Sequence, residues 1–111
     1  MMKTKPTLAA LLLTVLAGTA AHADQAAQMA RGKELFTTAA VPACAVCHTL
    51  KDAGAEGAIG PVLDELQPDA ARVARALKDG IGSMPSFKAT MSEADIAAVS
   101  LYVSKASGGA K

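Results

Sequence analysis

The chain of 111 residues has no tryptophan, one tyrosine and two phenylalanines. Domains of this size usually bury large aromatic side chains, and here alanine supplies much of the apolar content instead. A small domain with so thin a core generally needs a disulfide, a metal or another tightly held group to stay folded. The composition therefore favours one small domain that is built around something other than its own side chains.

No excess of basic charge is present. Eleven lysine and arginine residues are matched by ten aspartate and glutamate residues, giving a formal net charge of +1. This balance excludes the basic surface that is typical of proteins binding nucleic acid. The chain also has no internal repeat and no alternation of strand and helix patterns, so βαβ architectures are not indicated.

The sequence also lacks an apolar run long enough to span a bilayer. Its longest run, at residues 8–17, follows Lys3 and Lys5 and precedes the small-residue pattern Ala21-His22-Ala23. These three features predict a cleaved secretory signal peptide over residues 1–23, with an uncleaved membrane anchor as the alternative. Residues 24–111 would then form one exported domain with no membrane span.

The only two cysteines are Cys44 and Cys47, and His48 follows them directly. This C-x-x-C-H spacing attaches a c-type haem, because each thiol can form a thioether with one vinyl group and the histidine can bind the iron axially. A redox-active or structural disulfide is the alternative, although it normally accompanies a βαβ pattern. We therefore predict one covalently attached haem c. Bacteria assemble such proteins outside the cytoplasmic membrane, so the domain should be periplasmic.

Helical periodicity predicts an all-α domain with helices at residues 26–37, 68–78 and 92–104, a short turn near 64–67 and no convincing strand. Gly32 lies inside the first helix, where glycine costs about 1 kcal/mol relative to alanine, so another helix should approach closely there. Arg72, Arg75 and Lys78 are interpreted as a solvated helix face, with binding of a partner protein as the alternative. Residues 107–111 are predicted to be a frayed tail.

His48 is the only histidine beyond residue 23. A second axial ligand must therefore be a methionine, another donor such as lysine or water, or absent. Met29 lies in a predicted helix and Met91 has a sufficient role next to a helix start, so both are interpreted as core residues. Met84 lies in an irregular loop next to Pro85, and we favour it as the second ligand because a His/Met haem requires such a residue.

With these features the chain resembles class I c-type cytochromes over residues 31–104. Gly60-Pro61 follows the haem motif, and residues 82–87 (GSMPSF) are similar to the family's M-P-x-F ligand loop. The resemblance implies three to four helices wrapped around one haem. It also implies that the Pro61 carbonyl accepts a hydrogen bond from His48 and that Leu63 packs on the haem face. Some relatives aim a tryptophan at a haem propionate, and that residue is missing here.

The resemblance also concerns how the helices meet. Gly32 and Phe36 match first-helix positions that cross the last helix near an aromatic residue, which is Tyr102 here. Residues 41–66 and 73–87 further resemble the small cytochrome subunit of periplasmic sulfite dehydrogenases, whose molybdenum-containing partner oxidises sulfite to sulfate.

The predicted function is one-electron transfer by a His/Met-ligated haem, with redox proteins as partners and no substrate chemistry of its own. The resemblance points to the electron-accepting subunit of a sulfite dehydrogenase, and a free-standing periplasmic shuttle to a terminal oxidase or reductase is the alternative. A five-coordinate ligand-binding or peroxidase-like haem protein is a third possibility. Partners are expected to dock on small or apolar residues at the exposed haem edge: Ala43, Ala45, Val46, Ile81 and Pro85.

Overall fold

The computed structural model describes residues 8–110, with side chains from residue 18 onward. The helices are α1 (Leu8–Glu34), α2 (Cys44–Cys47), α3 (Leu63–Leu66), α4 (Ala70–Asp79) and α5 (Glu93–Ser107). A π-helical turn (Leu35–Ala39), a 3₁₀ turn (Lys51–Ala53) and two short strands, β1 (Thr49–Leu50) and β2 (Ala55–Glu56), complete the described part. The all-α class is confirmed.

The signal peptide predicted over residues 1–23 falls partly outside the described residues, which exclude Lys3 and Lys5. From Leu8 onward the backbone is helical and continuous with the rest of α1. Residues 18–24 are exposed. Within residues 8–110, no helix is long and apolar enough to cross a membrane. Cleavage after Ala23 stays a prediction.

The crossing of α1 and α5 organises the core. A Cβ atom on Gly32 would lie 2.3 Å from the Ala98 carbonyl oxygen and 2.5 Å from the Tyr102 Cβ, so only glycine allows this approach. One turn further on, Phe36 meets Tyr102 edge-on, with ring centroids 6.0 Å apart. The close helix approach predicted from the glycine is confirmed.

Helices α4 and α5 begin at side-chain caps. The Asp69 carboxylate accepts a hydrogen bond from the Arg72 backbone N–H at 2.8 Å, and the Ser92 hydroxyl accepts one from the Asp95 N–H at 3.1 Å. Gly80 ends α4 with a φ of 71°. These capped ends confirm both helices, and α5 runs three residues beyond its predicted end.

A small antiparallel ladder follows the haem motif, where no strand was predicted. Thr49 pairs with Glu56 and Leu50 with Ala55. The 3₁₀ turn between the strands carries Asp52, whose carboxylate accepts a hydrogen bond from the Tyr102 hydroxyl at 2.6 Å. The ladder closes the segment after His48 on itself, and the bond from Tyr102 fastens this segment to α5.

The prediction of a frayed tail is wrong for residues 107–110. Ser107 is the buried last residue of α5, and the Ala110 N–H donates to the Ser104 carbonyl at 2.9 Å. Gly109 is buried against Pro68, where a Cβ would lie 2.2 Å from the carbonyl oxygen. Gly109 therefore serves close packing, whereas the exposed Gly108 ends α5 with a φ of 87°. Lys111 lies outside the described residues.

Candidate haem-binding site

A cavity of about 440 Å³ opens between the haem motif, α3, α4, α5 and the turn at residues 81–84. This volume lies within the range of about 300–1,000 Å³ that is usual for small-molecule and cofactor sites. Most of the lining is aliphatic, aromatic or proline. Every site residue predicted from the sequence lines it: Cys44, Cys47, His48, Pro61, Leu63 and Met84.

Helix α2 is a single turn that places Cys44 and Cys47 on the wall of this cavity. The His48 backbone N–H donates to the Cys44 carbonyl at 2.9 Å, which closes the turn and sets the direction of the histidine. No disulfide joins the two thiols, and burial raises the pKa of the Cys44 thiol to about 11. Active thiol–disulfide sites lower a cysteine pKa, so this environment does not suit that chemistry.

His48 is held on two sides by the segment that follows the ladder. Its Nδ1 lies 2.8 Å from the Pro61 carbonyl oxygen, the hydrogen bond that the resemblance implied. A Cβ on Gly60 would lie 2.5 Å from the imidazole Cε1. With Nδ1–H donating to the carbonyl, the tautomer leaves Nε2 with a free lone pair, as an axial ligand needs.

Gly57 supports the same motif from the backbone side. A Cβ there would lie 2.6 Å from both the Cys47 carbonyl carbon and the His48 nitrogen. The Gly60 N–H also donates to the Cys47 carbonyl at 2.7 Å. The haem motif is thus packed directly against the backbone of the following loop, with no room for side chains between them.

Met84 reaches the cavity from a tight turn. The N–H groups of Ile81 and Met84 each donate to the other residue's carbonyl, at 3.1 and 2.9 Å. Gly82 has a φ of 56°, and the Phe87 N–H donates to the Leu77 carbonyl at 2.7 Å, which ties the loop to α4. Met84 is half-buried and lines the cavity, whereas Met91 is a buried core residue outside the lining.

Several predicted edge residues are exposed next to the cavity. The residues Val46 and Ile81 are 60% and 68% exposed. Ile59, which sequence reasoning missed, is 71% exposed and lines the cavity. Only its position one residue before Gly60-Pro61 could have signalled this.

Arg72 is exposed, as a solvated face requires, and it also lines the cavity, which was not predicted. The other two residues of the predicted solvated face have different surroundings. Lys78 forms an ion pair with Glu93 at 3.3 Å, and Arg75 is exposed and does not line the cavity.

The donor set suits haem c. Two free thiols are positioned for thioether bonds, and an imidazole and a thioether sulfur provide nitrogen and sulfur donors for an iron. The surrounding wall is apolar, as a porphyrin face requires, and Leu63 is a buried part of it. These residues would hold the group through Cys44, Cys47 and His48, with Met84 available as a further donor.

The chain is similar to a known protein family and to a solved structure. A profile of the family described as cytochrome c oxidase, cbb3-type, subunit III matches residues 27–103. The crystal structure of the c-type cytochrome SorU from Sinorhizobium meliloti is 50% identical in sequence, with a TM-score of 0.70. That similarity covers 76% of this chain and 95% of the SorU chain. The comparison with curated proteins found no match.

Proposed function

The chain belongs to the c-type cytochrome family described as subunit III of cbb3-type cytochrome c oxidase, and we propose that it carries single electrons on a haem held between His48 and Met84. As a c-type cytochrome it binds haem c covalently and serves electron transfer. The haem supplies an iron that cycles between Fe(III) and Fe(II). Thioether bonds would come from Cys44 and Cys47.

The observation that carries this proposal is the shared cavity. One apolar space is lined by His48, with its imidazole oriented by Pro61, and by the sulfur-bearing side chain of Met84. If His48 and Met84 both bind the iron, they would leave no position for a substrate, which favours electron transfer over ligand binding or peroxidase chemistry. The hydrogen bond to Pro61 holds the imidazole in one orientation, so little of the chain has to move when the charge of the iron changes.

Replacing Met84 with alanine tests the ligand assignment. The variant should lose the low-spin His/Met spectrum, bind added imidazole or carbon monoxide, and show a lower reduction potential, since methionine ligation raises the potential. Met91→Ala is the matched control. It removes a buried core methionine and should cost about 2–5 kcal/mol of stability while keeping the spectrum. An unchanged spectrum and potential in Met84→Ala would show that Met84 is not a ligand.

We also propose that the protein is periplasmic and accepts electrons from a molybdenum-containing sulfite dehydrogenase. The support is the resemblance of residues 41–66 and 73–87 to the cytochrome subunit of such enzymes. Mixing the protein with a purified sulfite dehydrogenase and sulfite should reduce the haem, whereas the enzyme alone or sulfite alone should not. Equally fast reduction by unrelated periplasmic donors would favour the free-standing shuttle instead.

Docking should use the apolar patch formed by Val46, Ile59 and Ile81. These side chains are exposed in the described part of the chain and lie on or next to the cavity lining. An apolar contact is weakly screened by salt, so the electron-transfer rate should change little with ionic strength. A steep fall of the rate with salt would contradict this docking mode.

A further inference from the structure

Arg72 has an unusual position among the charged residues. It is the only one of the lysine, arginine, aspartate and glutamate residues in the described part of the chain that lines the haem cavity. The residue is also exposed, so it borders both the cavity and the solvent. The other charged neighbours on its helix are Asp69, which caps α4 before it, and Arg75, Lys78 and Asp79 beyond it.

The neighbours of Arg72 explain how it reaches the cavity. Val73, Ala76 and Leu77 of the same helix also line the cavity, at the spacing of one helix face. Ala76, one turn after Arg72, is small and leaves space in front of the helix. The ion pairs found among the described residues use Arg31, Lys33 and Lys78 as cations, so Arg72 forms no ion pair with a carboxylate of residues 8–110.

A haem brings two carboxylates, its propionates, to a cavity whose walls are otherwise apolar. A carboxylate removed from water is costly unless it is paired with a cation or with hydrogen-bond donors. The lining has no acidic side chain to repel it and one guanidinium to pair with it. Guanidinium groups suit this role because they present several N–H donors in the geometry of a carboxylate.

We propose that Arg72 is the cationic partner of a haem propionate at the rim of the cavity. This assignment rests on haem c filling the cavity. Arg72 would act as a positioning residue that holds the propionate ionised and orients the haem edge. It would also stabilise the extra negative charge of the reduced haem.

The test compares the holoproteins Arg72→Gln, Arg72→Lys and Arg75→Gln. Arg75→Gln removes the same charge from the same helix outside the cavity lining, so it controls for long-range electrostatics. The readouts are the propionate ionisation, followed by infrared difference spectroscopy with ¹³C-labelled propionates, and the reduction potential. In Arg72→Gln the propionate acid dissociation constant should fall by about tenfold and the potential should decrease. Arg72→Lys should restore most of both values.

Equal effects of Arg72→Gln and Arg75→Gln, or none from either, would overturn the assignment and return Arg72 to a solvated face. A change of axial ligand in Arg72→Gln would also overturn it, since the residue would then act on the iron and not on a propionate. Failure of His/Met ligation is distinguishable from both outcomes, because it would already be visible in the wild-type spectrum.

Discussion

Two walls of the cavity carry the proposed axial ligands and are held in place in different ways. The histidine wall is His48 with the loop from Gly57 to Pro61, and the methionine wall is the turn from Ile81 to Met84. On the His48 side, Gly57 and Gly60 lie against the motif so closely that an added Cβ would come within 2.6 Å of it. On the Met84 side, two backbone hydrogen bonds close the turn that carries Met84. The first residue of this turn, Ile81, is exposed. Close contacts at two glycines define the His48 side, whereas the Met84 side combines surface hydrogen bonds with one such contact, at Gly80, where a Cβ would lie 2.8 Å from the Met84 carbonyl oxygen. The histidine wall should therefore tolerate substitution far less well.

The largest effect is expected for Gly57→Ala. The added Cβ would contact backbone atoms of the motif, which cannot move aside. Overpacking of this kind lowers the free energy of unfolding by about 3 kcal/mol. Gly82→Ala, on the methionine wall, meets no atom within 4 Å but has to adopt a φ of 56°. It should cost about 1 kcal/mol.

Chemical unfolding of the two holoproteins measures this difference. Since 1 kcal/mol moves the midpoint of a domain of this size by about 4–8 °C, thermal unfolding should separate the variants as well. Equal losses of stability in the two variants would contradict the contrast between the walls.

A smaller effect is expected for Gly60→Ala. The added methyl group would displace the imidazole and lengthen its hydrogen bond to the Pro61 carbonyl. Because this hydrogen bond increases the basicity of the imidazole, its loss would make His48 a weaker electron-pair donor to the iron. A weaker donor stabilises the ferric state less. The reduction potential should therefore rise, with the ferric preference reduced on the order of tenfold.

The matched control is Gly54→Ala, in the same loop, where a Cβ would meet no atom within 4 Å. Voltammetry of both variants supplies the measurement. A potential shifted equally in both, or in neither, would show that the close contact does not govern the imidazole.

The smallest effect concerns the bond that fastens the histidine wall to α5. Tyr102→Phe removes the hydroxyl that donates to Asp52 and should cost about 1 kcal/mol. Burial, together with that bond, raises the pKa of Tyr102 above its ordinary value near 10. The folded state therefore keeps a proton that the unfolded chain releases, and this stabilisation is present below pH 10 and lost as the pH rises further.

Urea unfolding at pH 8 and pH 11 tests this dependence. Tyr102 is the only tyrosine of the chain, so the variant removes all phenol titration. The difference in stability between wild type and Tyr102→Phe should shrink at the higher pH. A constant difference would contradict the pKa argument.

Much of the fold was predictable because its signals are local. The caps Asp69 and Ser92 and the end at Gly80 lie next to the periodic segments that they bound. Gly32 predicted a helix crossing, because a glycine inside a helix lowers the stability of that helix and is expected only where another chain segment approaches closely. Likewise, the C-x-x-C-H motif contains three of the predicted haem contacts within five residues.

Other features depended on distant partners. The π-helical turn at Leu35–Ala39 reads as ordinary helix, and its wider register, with the Ala40 N–H donating to the Leu35 carbonyl, has no local signature. The two-residue strands are too short for alternation to be visible. Gly109 reads as flexible until Pro68 is seen against it. Arg72 reads as solvated because three residues on one helix cannot reveal which of them borders a cavity.

The partner of the His48 imidazole is a main-chain carbonyl, and this has a consequence for heritable variation. A point mutation at position 61 changes the side chain but leaves the oxygen in place, provided that the local path of the chain survives. Single-codon changes at position 61 should therefore leave the hydrogen bond to His48, and with it the electron donation of the imidazole to the iron, unchanged. Selection can alter it only by bending the loop, through neighbours such as Gly60. Homologues should accordingly vary more freely at position 61 than at Gly57 or Gly60, where an added Cβ would meet the motif.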